Sequence, residues 1–497
     1  MQPYIIGSDI GTGSVKTVAL DFDGKVICST QVHYPTLHPQ TGYSEQDPEI
    51  VVNAFFQSIK ALIIKMKDQP EAVALSSAMH GLLVIDKDGK PITNLMLWSD
   101  ARSNSIAGNL KRSAKGKIIY EASGTPIHSM SPLSKILWLK ENDPDTFYKA
   151  YKFISIKEFI WQQLFREYVI DYSLASATGL LDIENRNWHS PALTLASVSL
   201  SQLSQPVATT YVKKGVAVEK ARIMGISPDT AFCIGASDGC LANLGTNAIN
   251  NGVAAITIGT SGAVRIFSRE PIREYEQMFF NYILDEEHFI SGGPVNNGGN
   301  IIHWLIKNYL DIEDITNHHY EELFNQIQSV PAGCDGLVFL PYVNGERAPV
   351  WDEESCGVFF GIRSHHKKQH FLRAVLEGIC FGLNDILTAL EEASEPIHQV
   401  NVSGGFVQSA LWMQMLADIT GKKVFLQQTE DASAVGAAYL GLKATGVIHE
   451  FPNVPHSGKM LIPRKTVADV YEKNFRVYKT LYPALKNSMT LLYKLEH

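Results

Sequence analysis

The sequence predicts an α/β fold in two domains, and three observations carry that expectation. Strand-like and helix-like segments alternate through both halves of the chain. A β-rich run broken by a Gly-Thr turn occurs twice, as Ile10-Gly11-Thr12-Gly13-Ser14 and as Ile258-Gly259-Thr260-Ser261-Gly262, which points to an internal duplication. The length, 497 residues, is more than three times the roughly 150 that one domain takes.

The elements follow in order. YIIGSDIG, SVKTVALDF and KVICSTQV, the last two separated by an Asp23-Gly24 turn, read as a β-meander. A helix over DPEIVVNAFFQSIKALIIKMK opens with Asp47 as cap and Pro48 in its first turn, and its apolar residues recur at helical spacing. AVALSS is a short buried strand running into Met79-His80-Gly81, and LLVIDKDGKPI reads as a hairpin about Lys87-Asp88-Gly89 that leads to Trp98, Asp100 and Arg102. Residues 103–230 mix helices with loops, and FCIGAS is a strand ending at Asp238-Gly239. The pattern then restarts at GVAAITIGTSGAVRIFS, which places the boundary near 245–252 and the domains at 1–248 and 249–497. Beyond it come the loop GLVFLPYVNGERAPVWDEESCG, the helix HFLRAVLEGICFGLNDILTALEEA, the strand HQVNVSGG and helices over LWMQMLADITG and ASAVGAAYLGLKA. A packing helix is the expectation for the tail after about residue 445.

Composition bounds the function. A hydrophobic share of 45% with 19% charged residues is that of a globular protein. The net charge of −8 offers no general basic field for a nucleic-acid backbone, so an anionic ligand needs a local positive site. The six cysteines are scattered without a C-x-x-C pair, as expected of a reducing compartment. The N-terminus lacks the pattern of a secretion signal, and no run reaches the roughly 18 apolar residues of a membrane span. The expectation is a cytoplasmic protein without nucleic-acid or membrane partners, with homodimerisation left open.

Tight glycine turns expose successive backbone N–H groups, and small hydroxyl residues let a phosphate approach them; two such turns facing one another would clamp a polyphosphate. Neither turn is a Walker loop, and Gly11-x-Gly13 is followed by Lys16 where a dinucleotide fingerprint has its third glycine. Asp9 would orient a hydrated Mg²⁺ and Lys16 would reach a phosphate oxygen, although Asp9 also reads as a turn residue. Asp238, at a strand end before glycine, reads either as a carboxylate facing a ligand or as a helix cap. Met79, His80, Trp98, Asp100 and Arg102 combine imidazole, carboxylate, guanidinium and aromatic groups, a set suited to a polyhydroxylated ligand, while each alone reads as structural. Ser403-Gly404-Gly405, before a helix beginning near Leu411, would face a nucleotide.

MSPLSKILWLKEN (130–142) and GVFFGIRSHHKKQHFLRAVLE (357–377) resemble the two signature segments of the FGGY carbohydrate kinases. With the opening DIGT, the second GTS, the late SGGF and DASAVGAA, the resemblance spans nearly the whole chain in order. It implies two actin-like, ribonuclease-H-like domains with a ligand cleft between them, sugar bound by the first and ATP by the second. It also implies Asp238 as general base on the sugar hydroxyl. Thr12, Lys16, Gly259, Thr260 and Ser261 would flank the ATP phosphates, and Gly404, Gly405 and Ser409 would approach the adenosine. Asp9 would hold Mg²⁺, and His80, Asp100 and Arg102 would line the sugar pocket with Met79 and Trp98 as its walls.

Xylulose kinases of the family carry asparagine directly after the catalytic aspartate, where this chain has Gly239. ASDGCLANLG, with SSAMH upstream, is more similar to the family's gluconate kinases, and a sugar-acid carboxylate would give Arg102, or Arg347 in the NGERAP loop, a partner. The expectation is an ATP- and Mg²⁺-dependent kinase acting on D-gluconate, with D-xylulose as the alternative. A non-catalytic actin-like ATP-binding protein and a chaperone-type ATPase are the alternatives of another class.

Overall fold

In the computed structural model, described over residues 3–405, 409–427, 431–451 and 458–496, the opening meander runs from two largely buried strands to an exposed third at the sheet edge. Strands β1 (Tyr4–Ile10), β2 (Ser14–Asp21) and β3 (Val26–His33) pair antiparallel. Helix α1 (Pro48–Met66) follows; Asp47 caps it by accepting from the N–H groups of Glu49 and Ile50, and Pro48 occupies its first turn. Its apolar face, with Phe55, Ile59 and Leu62, is fully buried in the core that also holds Ile6, Val15 and Leu75. The chain returns as β4 (Ala72–Ser77), parallel to β1. Strands β5 (Val212–Lys213) and β6 (Ala231–Ser237) extend the sheet on the far side of β4, giving the order β5-β6-β4-β1-β2-β3.

The hairpin expected at LLVIDKDGKPI forms as a short one: Asp86 accepts from the N–H groups of Asp88 and Lys90 in the turn, and the arms bond from Asp86 N–H to the Lys90 carbonyl and from Ile92 N–H to the Val84 carbonyl, both at 2.9 Å. Its first arm, Leu83–Ile85, also pairs on its other side with Lys152–Ile154. Pro91 sits in the bridge opposite Ile85 at a position where no N–H is needed. Residues 103–230 carry several helices, of which α2 (Pro132–Asn142) and α3 (Ile156–Phe165) bear on the site.

After β6 comes α4 (Asp238–Gly245), and the pattern repeats. Strands β7 (Val253–Ile258) and β8 (Gly262–Ser268) are antiparallel; β9 (Gln399–Ser403) is parallel to β7 and β10 (Lys423–Gln427) parallel to β9, with β11 (Gly458–Leu461) antiparallel at the end. The run β10-β9-β7-β8 thus has the order and directions of β6-β4-β1-β2. Helix α5 (Lys368–Ala393) packs on α6 (Ala410–Thr420). The tail forms the strand β11 and the long helix α8 (Lys465–Glu496), which packs on α6.

Packing divides the chain differently from a simple halving. One compact unit comprises Met1–Asn247, Ser268–Ser291 and Asp431–Val454; the other comprises Ala248–Phe267, Gly292–Glu430 and Pro455–His497. The late helix α7 (Ala432–Ala444) therefore belongs to the first unit, where it packs on β1, β4 and α4. Its small residues permit this. A Cβ on Gly7 would stand 1.9 Å from the Ala434 oxygen, and one on Gly436 1.9 Å from the Leu241 oxygen. Among the described residues no helix is long and apolar enough to cross a membrane.

Candidate active site

β1, β4 and β6 run parallel, so their carboxyl ends lie along one sheet edge, where α/β proteins place ligands. Asp9 is near the end of β1, Met79 and His80 follow β4, and Asp238 follows β6. A bulge between Cys233 and Ala236 sets the last of these. Gly235 there has φ 71°, and a Cβ on it would lie 1.7 Å from the Leu75 oxygen, so only glycine fits.

Asp238 is the first residue of α4. Ser237 caps that helix by accepting from the Cys240 N–H, and the Asp238 carboxylate accepts from the Gly239 N–H at 2.7 Å. The Asp238 carbonyl accepts from the Ser433 hydroxyl at 3.1 Å, which ties α4 to α7. From below, the buried Lys157 ammonium donates to the Ala236 carbonyl at 2.9 Å and pairs with Asp171 at 2.7 Å.

Asp9 accepts from the Ser76 hydroxyl at 2.7 Å and lies opposite Lys16 in the β1–β2 register. Removal from water, reinforced by the nearby charge of Asp238, pushes its carboxyl up to about 7, and Lys16 and Ser76 act against that rise. Lys16 itself pairs with Asp431 at 3.3 Å. The first turn closes through Gly11 N–H to the Ser14 carbonyl, 3.0 Å. The Thr12 hydroxyl accepts from the Trp98 indole at 3.1 Å, and the Thr12 carbonyl accepts from Gln46. A small pocket beside it is lined by Gly11, Thr12, Met79, Gly81 and Trp98 among others.

His80 is buried, with φ 64°; its Nδ1 bonds the Ala177 carbonyl at 2.8 Å and its Nε2 the Tyr282 hydroxyl at 3.0 Å. Asp100 and Arg102 are turned on each other. The Arg102 guanidinium donates twice to Asp100, at 2.8 Å each, and also to Glu45, and it stacks 3.8 Å over the Tyr43 ring. Asp100 further accepts from the Ser44 N–H at 2.8 Å. This network fixes the 98–102 turn.

In the second unit, the Gly259 and Thr260 carbonyls accept from the Gly299 and Asn300 N–H groups at 2.8 and 3.0 Å, so the helix Gly299–Tyr309 begins against that turn. Ser261 completes the turn, its carbonyl accepting from Gly259 at 2.9 Å. Gly404, at the end of β9 with φ 109°, comes so close to β7 that a Cβ would lie 2.1 Å from the Ile258 oxygen. A Cβ on Gly405 would meet nothing within 4 Å. Ser409 caps α6 by accepting from the Trp412 N–H; Phe406 of the SGGF segment lies outside the described residues. Arg347 is buried and donates to the Val295 carbonyl at 2.9 Å, next to Glu346, whose carboxyl burial pushes up to about 7.

The first unit thus brings Asp9, Thr12, Lys16, Met79, Trp98 and Asp238 to one edge, and Gly259, Thr260, Ser261 and Gly404 cluster within the second. Sequence reasoning missed Lys157 with Asp171, the Glu45 partner of Arg102, and Lys135. The Lys135 ammonium, fully buried in α2, donates to the carbonyls of His80 and Leu97 at 2.6 and 2.7 Å, and burial pushes it down to about 7. A lysine amid apolar residues in SKILWL was the available signal for the last; Lys157 and Asp171 pair across 14 residues of unremarkable sequence.

Residues 4–245 match the N-terminal domain, and residues 254–445 the C-terminal domain, of the FGGY family of carbohydrate kinases. Gluconokinases of Bacillus licheniformis and Bacillus subtilis are each 40% identical to this chain over 99% of it, covering 98% and 96% of their own lengths. A xylulose kinase of Bacillus subtilis is 28% identical over 98% of this chain and 97% of its own. Among solved structures, a gluconate kinase and a ligand-bound xylulose kinase from Lactobacillus acidophilus superpose with TM-scores of 0.94 and 0.93, each 32% identical and each covering 99% of this chain and all of its own. Two repeats of one strand order, each carrying a Gly-Thr turn, with both domain matches in sequence, have one explanation: the chain belongs to the FGGY family of carbohydrate kinases.

Proposed function

We propose that the chain transfers the γ-phosphoryl group of ATP to a hydroxyl of D-gluconate, giving 6-phosphogluconate. The observation that carries the choice of acceptor is the 40% identity to gluconokinases over nearly the full chain, against 28% to the xylulose kinase. Gly239, where asparagine is the mark of the xylulose kinases, agrees with it. D-xylulose is the second reading, favoured by the equal 32% identity to the xylulose kinase structure.

Asp238 is the general base. Its position at a strand end, aimed by the Gly235 bulge and the Lys157 brace, suits a group that must meet one acceptor hydroxyl in line with the transferring phosphorus. As the hydroxyl oxygen bonds to the γ-phosphorus, its proton passes to the Asp238 carboxylate and the bond to the ADP oxygen breaks. His80, Asp100 and Arg102 line the acceptor pocket, with Met79 and Trp98 as its walls. Thr12 and Lys16 of the first unit serve the phosphates, as do Gly259, Thr260 and Ser261 of the second, while Gly404, Gly405 and Ser409 serve the adenosine and Arg347 is a candidate for the acceptor carboxylate. Asp9 fits Mg²⁺: a carboxyl lifted to about 7 beside another carboxylate is a site short of positive charge. When bound, Mg²⁺ supplies charge neutralisation at the phosphates.

The test is ADP release with Mg·ATP across gluconate, xylulose, ribulose and glycerol. Gluconate is expected to give the highest kcat/KM; a preference for xylulose would select the second reading. Asp238→Asn should lower kcat by about 10²- to 10⁴-fold while leaving ATP affinity largely intact, and a loss under tenfold would remove the general base from the mechanism.

A further inference from the structure

We propose that Lys135 is a positioning residue, whose ammonium clamps the two turns that carry His80 and Trp98 and so sets the shape of the acceptor pocket. The inference rests on the reading that Met79, His80 and Trp98 line that pocket. Lys135 projects from α2, a helix started by Ser131 and Pro132, and its side chain has no exposure to solvent. Its Nζ donates to the carbonyls of His80 at 2.6 Å, Leu97 at 2.7 Å and, more weakly, Met96 at 3.4 Å. Three N–H donors therefore meet three main-chain acceptors drawn from two turns some 16 residues apart in sequence.

A buried lysine ordinarily has a carboxylate partner, because an unpaired ion in the interior is costly. Here the acceptors are carbonyls, and the nearest charges oppose one another: Asp100 favours the ammonium and Arg102 disfavours it. An apolar residue would fill the same space without that cost, but it would leave the carbonyls of both turns without this donor. One of those turns is in an unfavourable conformation, since His80 is a non-glycine residue with φ 64°. The other leads directly into Trp98, whose indole reaches Thr12 at 3.1 Å. Leu82 and Met96 exchange main-chain bonds at 2.9 and 3.0 Å, a second direct tie between the two segments. Lys135 thus joins the His80 turn, the Trp98 turn and, through Trp98, the first Gly-Thr turn.

The experiment compares wild type with Lys135→Met and Lys135→Gln in the full chain, by amide hydrogen exchange and by steady-state kinetics. Without any substrate, the Met variant should show at least tenfold faster exchange at Leu82 and Met96, with α1 and β4 unchanged. In turnover it should raise the acceptor KM at least tenfold and leave the Mg·ATP KM within about twofold. The Gln variant, which keeps two N–H donors, should fall between. Unchanged exchange, or equal rises in both KM values, would overturn the proposal, because a general packing role predicts no such split. Failure of both variants to fold would assign Lys135 to the stability of the whole unit and overturn it likewise. Should wild type phosphorylate none of the acceptors, the functional reading fails, and the exchange comparison still decides the role of Lys135.

Discussion

Asp9 and Lys157 are both ionisable groups withdrawn from water, and the fold treats them in opposite ways. Lys157 has a carboxylate, Asp171, and a carbonyl, Ala236, as partners. Lys157→Met leaves Asp171 buried and uncompensated, which costs about 3–5 kcal/mol; denaturant titration should show that loss, together with lower kcat because the brace under Asp238 is gone. Asp9 faces carboxylates instead. Its folded pKa of about 7 lies above the ordinary carboxyl value, so its contribution to stability is present in full below pH ~4 and is lost as pH rises through about 7. Asp9→Asn should therefore raise Tm at pH 8 by a few degrees while abolishing activity, and the rise should shrink as pH falls below 7 and vanish below about pH 4. Binding of Mg·ATP to wild type at pH 7 should release protons, since a cation favours the ionised carboxyl; calorimetry in buffers of different ionisation heat measures this. The strand-end placement of Asp9 and Asp238 and the two Gly-Thr turns were legible because β-branched runs that stop at an acidic residue or a glycine mark where strands end. The fate of Arg102 was not, because the sequence does not show that Glu45, 57 residues upstream, comes within reach of the same guanidinium.

At the scale of elements, α4 and α7 cross on glycine. A Cβ on Gly245 would lie 2.0 Å from the Ala432 oxygen, and one on Gly436 1.9 Å from the Leu241 oxygen. Neither neighbour is a flexible side chain, so the helices must separate to admit any substituent. Gly436→Val should lower Tm by more than 5 °C and, in the protein that remains folded, reduce kcat more than either KM, since α4 begins with Asp238. Gly446→Ala, near the end of the same segment with nothing within 4 Å of its added Cβ but φ 77°, should cost only about 1 kcal/mol. The helix over ASAVGAAYLGLKA was readable from its pattern, and so was the meander. Its address was not: small residues mark a close approach without naming the partner, and β1 lies more than 400 residues earlier in the chain. The short hairpin about Asp86–Lys90 was readable from its Asp-Gly turn, whereas the second partner of its first arm, at 152–154, was not, because pairing across some 70 residues leaves no local mark.

The whole molecule is two units woven from one chain, with 431–454 returned to the first. A fragment ending at residue 247 should therefore show no cooperative unfolding transition, because the face of β1 and β4 that α7 covers is left open; supplying 431–454 and 268–291 should restore it, as circular dichroism on heating would report. The duplication of strand order was legible in the repeated Gly-Thr runs, whereas the return of α7 was not, since the repeat itself suggests two self-contained halves. The late helix also fixes when the molecule can be finished. At translation rates of about 5–20 residues per second, the roughly 200 residues between the end of the first segment and the end of α7 take about 10–40 s to emerge. Through that interval a sheet face lined with glycine and small apolar residues waits at the ribosome without its cover. A chain stalled before residue 431 has made every strand of the first sheet and still lacks the helix that covers it.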